Sequence, residues 1–103
     1  MPLVPVARTS DQAPGKARLV TVGSAPIALF RTGDGWYAID NTCPHRGCPL
    51  ADGDVEGFVV TCPCHGSQFD IRTGSVLMPP AVSSVRAYRI TVQGEDVLID
   101  LSS

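Results

Sequence analysis

The chain has 103 residues, 44% of them hydrophobic and 17% charged, with a formal net charge of −2. That length suits one domain with a single core, burying somewhat over ~60% of the unfolded surface. No basic patch is available to neutralise phosphates, so nucleic acid is not an expected partner, and no run approaches the ~18–20 consecutive apolar residues of a membrane span.

In chain order, short runs rich in Val, Ile, Tyr and Leu occupy 3–7, 18–22, 27–31, 36–40, 58–61, 86–92 and 97–101. Turn chemistry bounds them: Ala13-Pro-Gly15, Gly33-Asp-Gly35, Asp52-Gly-Asp54, Thr73-Gly74 and Gly94-Glu-Asp96. Ten Gly and nine Pro fall between these runs and read as turns rather than disorder. Apolar residues at helical spacing never persist for three turns, so no helix is expected. Many short strands at this spacing predict an all-β sandwich or small barrel. There is no internal repeat and no linker long enough to separate domains. Trp36 and Tyr37 alternate on one strand and read as core and edge packing. The N-terminus, Met1-Pro-Leu-Val-Pro-Val-Ala-Arg8, lacks a basic region followed by an apolar one. No export signal is visible there, and a cytoplasmic, soluble protein is the expectation, or a periplasmic one if a signal has been removed.

The strand pattern breaks around 43–80, and all four cysteines and both histidines fall in that break. They read Cys43-Pro-His45 and Cys62-Pro-Cys64-His65, separated by 62 − 45 − 1 = 16 residues. The pattern C-x-H-x16-C-x-x-H offers two ligand pairs, one per loop, each with one thiolate and one imidazole. Two loops of this kind can place both thiolates on one iron and both imidazoles on another. Structural zinc is the ordinary alternative for a Cys2His2 set, but zinc pairs are normally separated by two or more residues, and a C-x-H pair is cramped for one tetrahedral ion. With no third histidine, a two-His-one-carboxylate iron site cannot coexist with such a cluster.

With these ligand pairs the chain resembles the Rieske family, whose [2Fe–2S] centre has two histidines in place of two cysteines. The match extends over nearly the whole chain, through the strand pattern, both motifs, and a Leu77-Met-Pro-Pro-Ala81 segment similar to the family's proline-rich loop over the cluster. The resemblance implies an antiparallel β-sandwich base (1–42 and 81–103) carrying an inserted, loop-built cluster-binding subdomain (about 43–80). It implies one [2Fe–2S] cluster held by Cys43, His45, Cys62 and His65, with Pro79 in the covering loop and Gly47 and Gly66 letting the backbone turn tightly beside the cluster. In the high-potential branch, cysteines placed like Cys48 and Cys64 form a disulfide linking the loops. The alternative for those two is a pair of buried thiols acting as small hydrophobes. A disulfide here closes a loop of 64 − 48 = 16 residues, worth about 3 kcal/mol in the chain-entropy model. Disulfides are rare in a reducing cytosol, so the bond is expected either to be buried or to belong to an exported protein.

The resemblance also assigns Ser67 a hydroxyl donated to a bridging sulfide, against the plain reading of a turn serine. Two departures narrow the subfamily. Respiratory members commonly carry a tyrosine where this chain has Phe69, and His65-Gly-Ser-Gln-Phe-Asp70 is more similar to the H-G-x-x-F-D of ferredoxin-type members. Quinol-oxidising members tend to have a leucine where this chain has Arg46, which suits polar docking. The function so implied is one-electron transfer by a soluble carrier, between a reductase and an oxygenase or other oxidoreductase, with no catalytic residue of its own. The alternatives are a small Rieske subunit of an arsenite-oxidase-like or quinol-oxidising complex, and a zinc-stabilised binding module without a redox role.

Overall fold

The computed structural model describes residues 3–44, 47–64, 66–79 and 83–101. Its strands in chain order are β1 (Leu3–Arg8), β2 (Lys16–Val22), β3 (Ala25–Arg31), β4 (Trp36–Asp40), β5 (Asp54–Glu56), β6 (Val59–Thr61), β7 (Gln68–Asp70), β8 (Val76–Met78), β9 (Ala87–Gln93) and β10 (Asp96–Asp100). They form a six-stranded sheet in the order β1-β10-β9-β4-β3-β2 and a four-stranded sheet in the order β5-β6-β7-β8. Every pairing is antiparallel. The four-stranded sheet is built wholly from chain between β4 and β9, which are neighbours in the larger sheet. The chain leaves the base at Asp40, builds the small sheet, and re-enters beside the strand it left.

Each run rich in β-formers coincides with a strand of the fold; β2 and β3 begin two residues earlier than expected, at Lys16 and Ala25, and the other five strands agree within one residue at each end. Three strands were not expected. β5, β7 and β8 are three residues each, too short to display a period of two. Helical structure among the described residues is confined to the 3-10 turns Thr9–Asp11 and Leu50–Asp52.

Alternation on the central strands explains where the core sits. Ile27 and Leu29 face one cluster with Ala38, Val97 and Ile99, inside the base. Ala28, Phe30 and Ile39 face the other side, where they meet Leu50, Val60, Phe69, Ile71 and two cysteines, Cys43 and Cys62. β3 is therefore buried on both faces, which is why 27–30 reads as a continuous apolar run rather than an alternating one. Each fully buried Ile, Leu or Phe contributes roughly 1.5–3 kcal/mol. The second cluster binds the small sheet to the base, and the two cysteines are part of it.

Asp40, the last residue of β4, is pinned as the chain departs. It accepts from the Tyr88 hydroxyl at 2.6 Å and from the Arg86 amide at 3.2 Å, and its own amide donates to Arg86 O at 2.9 Å. Burial, aided by the bond to Asp40, pushes the Tyr88 phenol up to about 12.

Candidate metal centre

Two loops carry the cysteines, and they are built alike. In the first, the Cys43 amide donates to Cys48 O (3.0 Å) and the Gly47 amide donates to Cys43 O (2.7 Å). In the second, the Cys62 amide donates to Ser67 O (2.7 Å) and the Gly66 amide donates to Cys62 O (3.2 Å). Both turns require a left-handed glycine, with φ of 74° at Gly47 and 80° at Gly66, where a Cβ would be strained. The flanks match too, since Thr42 bridges Pro49 and Thr61 pairs with Gln68. The signal lies in the sequence as T-C-P-x-x-G, once from Thr42 and again 61 − 42 = 19 residues later from Thr61. Six residues are too few to register as a repeat, but they encode one loop twice.

In this shared frame Cys43 and Cys62 are equivalent, as are Gly47 and Gly66, and Cys48 and Ser67. Cys43 and Cys62 are 1% and 3% exposed and stand outside the disulfide. Ser67 is fully buried directly below the second loop. His45, Arg46 and His65 lie outside the described residues, as does the Pro80-Ala81 part of the covering segment. Pro79 is exposed at the end of β8, whose Met78 pairs with Gln68.

Cys48 and Cys64 form a disulfide with Cα atoms 6.4 Å apart, joining the two loops. It is not a buried bond: Cys64 is exposed and Cys48 half-buried. The four cysteines thus divide into an inner pair in the apolar core and an outer pair tying the loop tips together. Phe69, where a tyrosine would have offered a hydroxyl, is fully buried among core side chains.

A surface groove of about 400 Å³ lies elsewhere. Trp36, Tyr37, Arg72, Tyr88 and Arg89 line it, at the ends of β4 and β7 that point away from the cysteine loops. The Arg72 guanidinium sits 4.3 Å from the Phe58 ring centre and holds the Asp70 carboxylate at 2.9 Å, which keeps that carboxyl below its usual range. The Tyr37 and Phe58 rings, 5.7 Å apart, join the base to the small sheet here. The groove is not the metal centre.

The donor chemistry fits an iron–sulfur group. Two soft thiol donors emerge from matched turns into a dry, apolar setting, and thiolates are the ligands such clusters take. A β-protein with these paired loops at one end belongs to the class that carries a metal centre on a loop-built tip. A family model described as the Rieske [2Fe-2S] domain matches residues 2–89, and the chain belongs to that family. It is 36% identical over 95 residues to Ferredoxin CarAc of Metapseudomonas resinovorans, covering 91% of this chain and 89% of that one. The solved ferredoxin of carbazole 1,9a-dioxygenase from Nocardioides aromaticivorans IC177 matches with a TM-score of 0.92 at 34% identity, over 96% of this chain and 97% of its own. A solved complex of reduced oxygenase and oxidized ferredoxin in carbazole 1,9a-dioxygenase contains a chain matching with a TM-score of 0.88 at 35% identity, over 94% of this chain and 91% of that one. The cofactor is accordingly one [2Fe–2S] cluster, and the protein is an electron carrier rather than an enzyme. The zinc-module alternative falls with that result. Among the described residues, no helix is long and apolar enough to cross a membrane.

Proposed function

We propose that this chain is the ferredoxin component of an oxygenase system, taking single electrons from a reductase and delivering them to a Rieske-type oxygenase. The observation that carries the reading is the pair of buried, equivalent thiols at Cys43 and Cys62 on a chain similar over 91% of its length to a ferredoxin. When bound, the cluster supplies reversible one-electron chemistry, and the protein sets its potential and exposure.

In this reading Cys43 and Cys62 would hold one iron, and their burial would keep water from the thiolates. His45 and His65 would hold the other iron, as the family pattern implies. Gly47 and Gly66 fold each loop back on its cysteine. Ser67, buried under the second loop, supplies a hydroxyl that favours the more negative reduced state. The cluster-binding region runs from about 43 to 80, and 1–42 with 81–103 form its support. Similarity to ferredoxin components supports a mobile carrier over a fixed subunit of a larger complex, the reading that the disulfide alone would favour.

Electron paramagnetic resonance of purified, iron-loaded protein tests this. The reduced protein should give a rhombic signal of low average g with two irons per chain. His65→Cys, if it retains a cluster, should fall towards plant-type potentials of roughly −400 mV. A silent protein with stoichiometric zinc, or a cluster-bearing His65→Cys with an unchanged potential, would overturn the assignment.

A further inference from the structure

The two cysteine loops share one internal design but are held to the fold by different means. The second continues directly into the β6–β7 ladder, through Thr61–Gln68, Val60–Phe69 and Val59–Asp70. The first has no such ladder: past the Thr42–Pro49 bridge the chain turns at once into the 3-10 turn Leu50–Asp52. Its place is taken by Asn41, which is 6% exposed. Asn41 O accepts from the Leu50 amide at 2.7 Å, its side-chain Oδ1 accepts from the Ala51 amide at 2.9 Å, and its own amide donates to Pro26 O at 3.1 Å. One buried side chain thereby fastens the turn that follows the first loop back onto the strand that precedes it.

That turn also touches the second loop. Leu50 is fully buried in the shared core, and the Gly53 amide closes the turn on Leu50 O at 3.0 Å. Gly53 lies flat against the strand leading to Cys62. A Cβ there would overlap Thr61 O and come within 3.1 Å of Val60 Cγ2. The φ of Gly53 is −78°, so the glycine is required by close approach and not by backbone conformation. Backbone presses on backbone at this point, one residue before a ligand cysteine.

We propose that the turn from Leu50 to Gly53 is a spacer that sets the separation and relative orientation of the two cysteine loops. It is fastened to the first loop by Asn41 and abuts the second through Gly53. Asn41 and Gly53 are positioning residues: they act on the cluster only through the loops that carry Cys43 and Cys62, and the inference rests on those cysteines being ligands. The outer disulfide joins the same loops at their tips. The spacer fixes them at their roots, on the side of the buried thiols.

The test uses the full-length, cluster-loaded protein and three variants: Gly53→Ala, Asn41→Ala and Asn41→Asp. Asn41→Asp keeps an oxygen that accepts from the Ala51 amide. Circular dichroism and iron content first establish that each variant retains its sheets and cluster. Gly53→Ala and Asn41→Ala should then shift the reduction equilibrium by at least about threefold, roughly 28 mV for one electron at about 59 mV per tenfold. Their reduced-state resonance should show displaced g values with broadened lines, and chelator should strip their iron faster. Asn41→Asp should restore the wild-type g values and line widths. A variant of comparable stability loss inside the base, Ile99→Val, should leave potential and resonance unmoved. If Gly53→Ala does not fold, the two Asn41 variants decide the matter. Wild-type potential and g values in a folded, fully loaded Asn41→Ala protein would overturn the spacer. A wild-type protein lacking the Rieske signal would strike down the ligand assignment instead, so the two failures are distinguishable.

Discussion

The six-stranded base and the four-stranded tip reach order by different routes. Base strands run five to seven residues, and the base carries its own apolar cluster of Ile27, Leu29, Val97 and Ile99. The tip has strands of three residues and a core that includes Cys43 and Cys62 themselves. In the base, burial is an end in itself. In the tip, the residues that complete the core are also the proposed ligands, so cofactor binding and local folding would be one process.

The sharpest break of this comparison is to remove the cofactor. Cys62→Ser, or chelation of the iron, should abolish the cluster and expose the amides of β5 to β8 to hydrogen exchange, while β2 and β3 keep their protection. Equal loss in both regions would show that the tip is as self-sufficient as the base. Next in size is a cavity in the base. Ile99→Ala should destabilise the protein by about 2–5 kcal/mol, read by denaturant unfolding, with the potential of the surviving folded protein unchanged. A shifted potential would mean the two regions are coupled more tightly than their separate clusters imply.

Ser67→Ala sharpens the comparison inside the tip. A hydrogen bond to a charged group is worth about 1.5–3 kcal/mol. At about 1.4 kcal/mol and 59 mV per tenfold, its loss lowers the potential by up to roughly 60–130 mV, starting from a value within the Rieske range of about −150 to +300 mV. Phe69→Tyr should act in the opposite direction. Titration showing no change in Ser67→Ala would return that hydroxyl to a purely structural role. The smallest effect belongs to the base. Tyr88 holds its proton up to about 12, against 10.0 for the ordinary phenol. The unfolded chain releases that proton first, so the stability it contributes is intact below pH 10 and declines as pH rises towards 12. Thermal melts across that window should steepen for the native protein relative to Tyr88→Phe.

The same division governs what the sequence makes legible. β4, β9 and β10 stand out because their burial pattern and their β-formers extend over five residues or more. The tip strands do not: Gln68-Phe-Asp70 shows a single apolar residue between two polar ones, and its pairing is fixed by loop turns instead. Cysteine spacing and family resemblance point to the metal centre and to the Cys48–Cys64 bond, since ligand chemistry is written in residue type. Asn41 and Gly53 left no such mark. Their parts depend on which backbone atoms lie opposite them, and that is settled only when both loops are folded.

The disulfide beside two core thiols has a consequence for how the protein matures. Four cysteines can be joined in pairs in three ways, and with Cys43 and Cys62 as the proposed ligands, any pairing that consumes either would forfeit the cluster. In the folded chain the correct outcome is enforced by access, because Cys64 is open to solvent while the other two thiols are sealed in the core. An unfolded chain has no such protection. Air oxidation before folding should therefore yield protein that never accepts iron, whereas folding and iron loading under reducing conditions, followed by oxidation, should give fully loaded protein with the bond in place. Chronology, in this molecule, is part of the architecture.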